Sequence, residues 1–134
     1  MREIKFRGKR IDNGEWVCGD LIRGYKETRI GFFEVNEIGD EVYFSRQVIP
    51  ESVSQFTGLH DKNGKEIYEG DIVNFYNRYT NKNYTRVVRY CPYFACFGLF
   101  PNMQEEWNYE SDWLKISEVE VIGNIYEHPQ LLNP

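Results

Sequence analysis

The sequence predicts a mainly β protein of short antiparallel strands and hairpins, with one or two short helices, and three observations carry that reading. Aromatic residues make up 16% of the 134 positions, with ten Tyr, nine Phe and three Trp. Such side chains fit a pleated, half-buried surface and supply much core area per residue. Asn13-Gly14 and Asn63-Gly64 each fall between strand-like runs, a strong hairpin signal because a type I′ turn needs positive φ at both central residues. The apolar runs are short and broken by Gly and Pro, far below the roughly 20 residues of a membrane helix.

Each element follows in chain order. Residues 4–11 and 15–22 read as the arms of a first hairpin around Asn13-Gly14. Residues 29–49 form a second hairpin, broken at Ile38-Gly39-Asp40-Glu41, where a turn is natural. Pro50 ends it and biases Ile49 away from helix, leaving residues 50–56 as a short helical turn or connector. Asn63-Gly64 repeats the hairpin signal, and Glu69-Gly70-Asp71 reads as a tight turn into a strand at residues 72–76. A strand pair follows at about residues 86–100, bounded by Pro92 and Pro101, then a short helix within residues 107–116 and a last strand at 119–126. Short strands joined by glycine turns suit a small barrel.

The length fits one compact domain or two small lobes sharing a core, which argues against a multidomain enzyme. Sixteen Lys and Arg against 21 Asp and Glu give a net charge of -5, which argues against coating nucleic acid by general attraction but leaves room for a local basic patch. Met1-Arg2-Glu3-Ile4-Lys5 lacks the continuous apolar stretch of a signal peptide. The expected location is therefore the cytoplasm, with no membrane partner. Cys18, Cys91 and Cys96 form an odd set, read as reduced thiols rather than a disulfide framework.

Four groups of residues were candidates for chemistry. His60, Asp61 and Glu66 could be gathered by a hairpin for acid-base work, but turn capping by Asp61 accounts for them better. Cys91 and Cys96 with Cys18 and either His60 or His128 could supply four zinc ligands, yet structural zinc sites use two closely spaced pairs and only one wide pair is present. No metal and no cofactor are expected. Gly58, Gly64, Gly70 and Gly123 match no phosphate-binding loop and read as turn residues.

The fourth group is a basic and aromatic segment, residues 75–90, with Arg78, Lys82, Arg86 and Arg89 interleaved with rings that include Tyr79 and Tyr84. Cations beside stacking platforms are what single-stranded nucleic acid requires. The competing reading, which the intramolecular charge balance favours, is a twisted hairpin whose arginines cover aromatic faces and meet the acidic Glu105, Glu106, Glu110 and Asp112.

Three stretches together resemble the YopX family of bacteriophage and prophage proteins. They are Arg2-Glu3-Ile4-Lys5-Phe6-Arg7-Gly8-Lys9-Arg10 with Asn13-Gly14-Glu15-Trp16, then residues 55–73 around Thr57-Gly58-Leu59-His60-Asp61-Lys62-Asn63-Gly64 and Tyr68-Glu69-Gly70-Asp71-Ile72-Val73, and finally Glu120-Val121-Ile122-Gly123-Asn124-Ile125-Tyr126-Glu127. The resemblance implies a small SH3-type barrel over residues 54–134 with an N-terminal hairpin region, residues 1–53, packed on it. It implies a place in the host bacterial cytoplasm and no activity. The expected function is that of a noncatalytic accessory protein that binds another protein, either its own copies in a homo-oligomer or a phage or host factor. The alternative is a nucleic-acid-binding module using Arg78, Lys82, Arg86, Arg89, Tyr79 and Tyr84.

Overall fold

The computed structural model describes residues 1–104, Asp112–Trp113 and residues 118–132. The chain is mainly β and divides into two units, Met1–Phe56 and Thr57–Pro134.

In the first unit, β1 (Phe6–Lys9), β2 (Trp16–Arg23), β3 (Thr28–Val35) and β4 (Glu41–Val48) pair antiparallel in sequence order. The start of β5 (Ser54–His60) joins the free side of β1 through Phe6↔Gln55 and Arg7↔Ser54. The first hairpin forms, but its turn is not the expected one. Its loop closes where the Arg10 N–H donates to the Glu15 carbonyl at 2.8 Å, and only Gly14 takes positive φ, at 72°. The Asn13 side chain accepts from the Glu15 N–H at 2.9 Å, a bond that suits its ordinary backbone conformation. In the second hairpin, Asn36 Oδ1 accepts from the N–H groups of Ile38 and Asp40, and Gly39 supplies the left-handed residue at φ 89°.

The first sheet curls until the end of β1 meets the end of β4. Arg10 bridges Val48, the Ile49 N–H donates to the Lys9 carbonyl at 2.9 Å, and the Ile11 N–H donates to the Gln47 carbonyl at 3.1 Å. This approach requires a glycine, because a Cβ on Gly8 would lie 2.9 Å from Val48 Cβ and Cγ2. A 3-10 turn at Pro50–Ser52 then ties the chain back to β1, with Ser52 Oγ accepting from the Lys9 N–H and donating to the Ile49 carbonyl. Ile30, Val48 and Phe56 are the buried apolar residues of this unit.

In the second unit the end of β5 pairs with β6 (Glu66–Tyr68), and a separate sheet has the order β10 (Asp112–Trp113), β9 (Cys96–Phe100), β8 (Lys82–Cys91), β7 (Asp71–Asn77), β11 (Val119–Asn124). Alternation along β8 sends Val88 and Tyr84 into one apolar cluster, with Ile67, Val73, Phe75 and Leu99, and sends Val87 and Cys91 into another, with Phe100. The described strands of this sheet are open at β10 and β11, so the mainly β, antiparallel architecture is as expected while no closed SH3-type barrel is formed by the described strands of residues 54–134. The short helices among the described residues are 3-10 turns, Pro50–Ser52 and Pro129–Leu132. The helix expected within residues 107–116 lies outside the described residues, save that Asp112–Trp113 are strand. No helix among the described residues is long and apolar enough to cross a membrane.

Asp61 fastens this unit together. Its Oδ1 accepts from the N–H groups of Asn63 and Lys65, and its Oδ2 from that of Val121 at 3.0 Å. Gly64 has φ 84°, as the turn signal predicts, but Asn63 does not share the positive φ of a type I′ turn. The reason is that the Asp61 side chain holds the Asn63 N–H.

Removing this carboxylate strands a part-buried N–H on β11, so Asp61→Ala should destabilise the protein by about 2–3 kcal/mol in chemical denaturation. Burial pushes the Asp61 carboxyl up, but the N–H groups of Val121, Lys65 and Asn63, with the Lys65 charge, hold it below its ordinary value. Its contribution is thus complete above the ordinary carboxylate pKa of about 3.9 and is lost as pH falls through the lower folded value. Asp61→Asn should flatten that acid limb, and an unchanged acid limb would reject the assignment. In the first unit, Gly8→Ala should cost about 1–3 kcal/mol through overlap with Val48. The cost should be less than additive in combination with Val48→Ala, which opens the space.

Candidate functional site

The basic and aromatic segment singled out in the sequence becomes the β7–β8 hairpin. Arg78 and Tyr79 sit in its turn, with Tyr79 fully exposed and Asn81 in the left-handed conformation at φ 54°. Lys82 begins β8 and is exposed. Tyr84 stacks on Phe75 with centroids 5.5 Å apart, and its hydroxyl donates to Thr80 Oγ1. The Arg86 guanidinium lies 4.8 Å over the Tyr84 ring, and the Arg89 guanidinium 4.3 Å over the Phe100 ring while donating to the Asn102 carbonyl.

The pleat separates these cations. Lys82 and Arg86 fall in phase with Tyr84 and Val88, whereas Arg89 falls in phase with Val87 and Cys91, whose cluster is the other one. Arg86 and Arg89 therefore cover rings on opposite faces of one sheet. Their pairing with Glu105, Glu106, Glu110 and Asp112 concerns side chains outside the described residues.

The remaining sequence candidates resolve into structure. Asp61 is committed to backbone N–H groups, Glu66 accepts from the Tyr68 hydroxyl at 3.2 Å, and His60 is exposed at the end of β5. Cys91 and Cys96 are register partners across the β8–β9 hairpin, Cys18 lies on β2, and no disulfide joins the three. Among the described residues no group of three or more His, Cys, Asp or Glu side chains could hold a metal ion.

A different site, in the first unit, was not anticipated. A depression of about 430 Å³ is lined by Arg10, Arg29 and Arg46 together with Ile11, Asp12, Ser45 and Gln47. Pairing of β3 with β4 sets Arg29 opposite Gln47 and Ile30 opposite Arg46, and the return of β1 to β4 delivers Arg10. Each guanidinium is held. Arg10 forks onto Asp12 at 2.9 and 2.7 Å; Arg29 donates to Ser45 Oγ at 2.8 Å and to Glu27 at 3.2 Å; Arg46 donates to the Ser45 carbonyl and lies over the Phe44 ring. The mutual hydrogen bond holds the Asp12 carboxyl below its usual range and raises Arg10.

The face of β3 and β4 that carries Arg29 runs from the depression to an apolar end, whereas Arg46, paired with the buried Ile30, stands on the other face and meets Arg29 at the Ser45 carbonyl, to which both donate. Moving along the register, Arg29↔Gln47 is followed by Gly31↔Ser45, Phe33↔Tyr43 and Val35↔Glu41. The Tyr43 ring occupies the space above Gly31, where a Cβ would collide with it, and its hydroxyl donates to Asp20 at 3.0 Å. Burial and that carboxylate push the phenol up. Phe33 packs edge-on against Tyr43 at 4.8 Å and stays 61% exposed, and Val35 is 70% exposed.

A family model described as YopX protein matches residues 5–133. Among solved structures, the crystal structure of protein EF1440 from Enterococcus faecalis is similar over 98% of this chain and 99% of that one, with a TM-score of 0.58 and 23% sequence identity. That likeness is one of fold. A search of curated proteins finds no match.

Division of the cations between two faces leads to a test by fluorescence anisotropy with short labelled oligonucleotides over a salt series. No submicromolar binding is expected at physiological ionic strength, because four scattered cations give a counterion-release slope of only about -3 for single strands. Tight binding that is lost when Arg78, Lys82, Arg86 and Arg89 are all changed to Ala would reverse this.

Proposed function

The chain belongs to the YopX family, and from that premise we propose that it is a noncatalytic protein-binding module, an accessory protein of phage or prophage origin, that engages its partner through the β3–β4 face of the first unit. The observation that carries the reading is the exposed, ordered ring pair of Phe33 and Tyr43 with Val35 beside it. Rings fixed before binding lose little entropy when covered, and large aromatic side chains supply most of the energy at protein interfaces. Tyr43 is fixed twice, by the glycine beneath it and by Asp20. Arg86 and Arg89 of the β7–β8 hairpin, by contrast, are engaged with rings on two faces, which favours protein over nucleic acid as the ligand.

The test is affinity capture from bacterial lysate with and without nuclease, comparing wild type with the variant Phe33→Ser, Val35→Ser. Both residues are exposed, so the variant should keep its circular dichroism spectrum and melting temperature. The expected result is a nuclease-resistant partner that the variant loses by about tenfold or more. Light scattering identifies the case in which the partner is a second copy, through a mass that rises with concentration only in wild type. Capture that is nuclease-sensitive, or equal for both proteins, would overturn the proposal.

A further inference from the structure

The arginine depression lies at one end of the proposed binding face, and its charge balance narrows what it can take. Three arginines line it with one acidic residue, Asp12. Glu27 touches Arg29, and Glu15 and Glu34 act on Arg10 from farther off. A polyanion or a phosphate dianion entering here would meet those four carboxylates. A single carboxylate that takes the place of Asp12 on the Arg10 fork leaves the local charge unchanged, and the planar fork matches it in two parallel hydrogen bonds.

We infer that the depression formed by Arg10, Arg29 and Arg46 receives a carboxylate side chain from an extended segment of the partner protein, and that Asp12 is the internal occupant which this carboxylate displaces. The inference rests on the protein-binding reading and names the chemistry of the partner. Asp12 is suited to displacement because it is carried on the exposed β1–β2 loop and its side chain is 64% exposed. The register then sets the spacing. From the Arg29↔Gln47 pair to the Phe33↔Tyr43 pair is about four residues, roughly 13 Å, so an extended ligand would carry an acid about four positions from an aromatic residue.

The experiment is a nitrogen-15 NMR titration of the full chain with the capped peptide Glu-Ser-Thr-Ser-Phe. Amide shifts are expected at Ile11, Arg46 and Gln47 together with Phe33 and Tyr43. Replacing the peptide Glu by Gln should weaken binding about tenfold, as should Arg29→Gln or Arg46→Gln, each checked for an otherwise unchanged spectrum. Asp12→Asn should tighten it about threefold or more, a gain that a merely structural role for Asp12 does not produce. Equal binding of the Glu and Gln peptides, or no gain from Asp12→Asn, overturns the inference, and so does inorganic phosphate binding more tightly than the peptide. Acid-independent peptide binding together with loss of capture in Phe33→Ser, Val35→Ser removes this inference and leaves the protein-binding reading standing. Acid-selective binding in the depression without any captured protein does the opposite.

Discussion

The first unit depends on the absence of one side chain. Val48 sits where a Cβ on Gly8 would be, and only because that space is open can the end of β1 lie against the end of β4. The consequence reaches the surface. Closure there sets Arg10 and Ile11 beside Gln47, and the depression consists of residues from β3 and β4 with residues that this contact brings in. A straighter sheet would leave Arg10 on a free hairpin end, away from Arg29 and Arg46. Sheet curvature is therefore the cause of the site, and Gly8 with Ser52 holds the curvature in place.

The second unit reaches order by a different device. Its turn at Asp61 and its last strand are far apart in sequence, and one carboxylate satisfies N–H groups on both. A backbone bond reinforces the link, from the Lys62 N–H to the Val119 carbonyl at 2.9 Å. The N–H at Val121 is part-buried, so it needs an acceptor, and an ionised acceptor makes the bond stronger than a neutral one. The role explains why Asp61 is poorly suited to proton transfer. A group held ionised by three donors is a weak base at neutral pH.

Hairpins were legible in the sequence because their signals are local. Asn13-Gly14, Gly39-Asp40 and Gly70-Asp71 mark chain reversal between strand-like runs, and β1–β2, β3–β4 and β7 all begin or end where those signals put them, although Gly19-Asp20 lies within β2. The turn types were not legible, since side chains at Asn13 and Asp61 capture a nearby N–H and keep the asparagine in its ordinary conformation. The arginine depression was illegible for a deeper reason. Its cations stand at positions 10, 29 and 46, in no run and at no period, and only pairing of three separate segments brings them together. The basic run at 78–89 showed the opposite failure. It looks like a patch in one dimension, yet the odd separation of Arg86 and Arg89 puts them on opposite faces once the segment is a strand, a signal that was present in the sequence.

An internal carboxylate in a cationic depression acts on discrimination more than on affinity. Asp12 offsets part of the attraction for any anion, so a ligand with charge alone gains little by displacing it. Additional binding free energy must come from somewhere uncharged, and the adjoining Phe33, Tyr43 and Val35 supply an apolar surface on the same face. Neither half is sufficient alone. Salt weakens an exposed ion pair, and a few exposed apolar side chains bury too little area for a stable complex. A partner that presents an acid and an aromatic residue at the spacing of the register satisfies both halves at once, whereas nucleic acid satisfies neither the charge balance of the depression nor the apolar end beyond it. In a chain of net charge -5, the proposed arrangement would let a small cationic site select an acidic protein segment without becoming a general trap for polyanions.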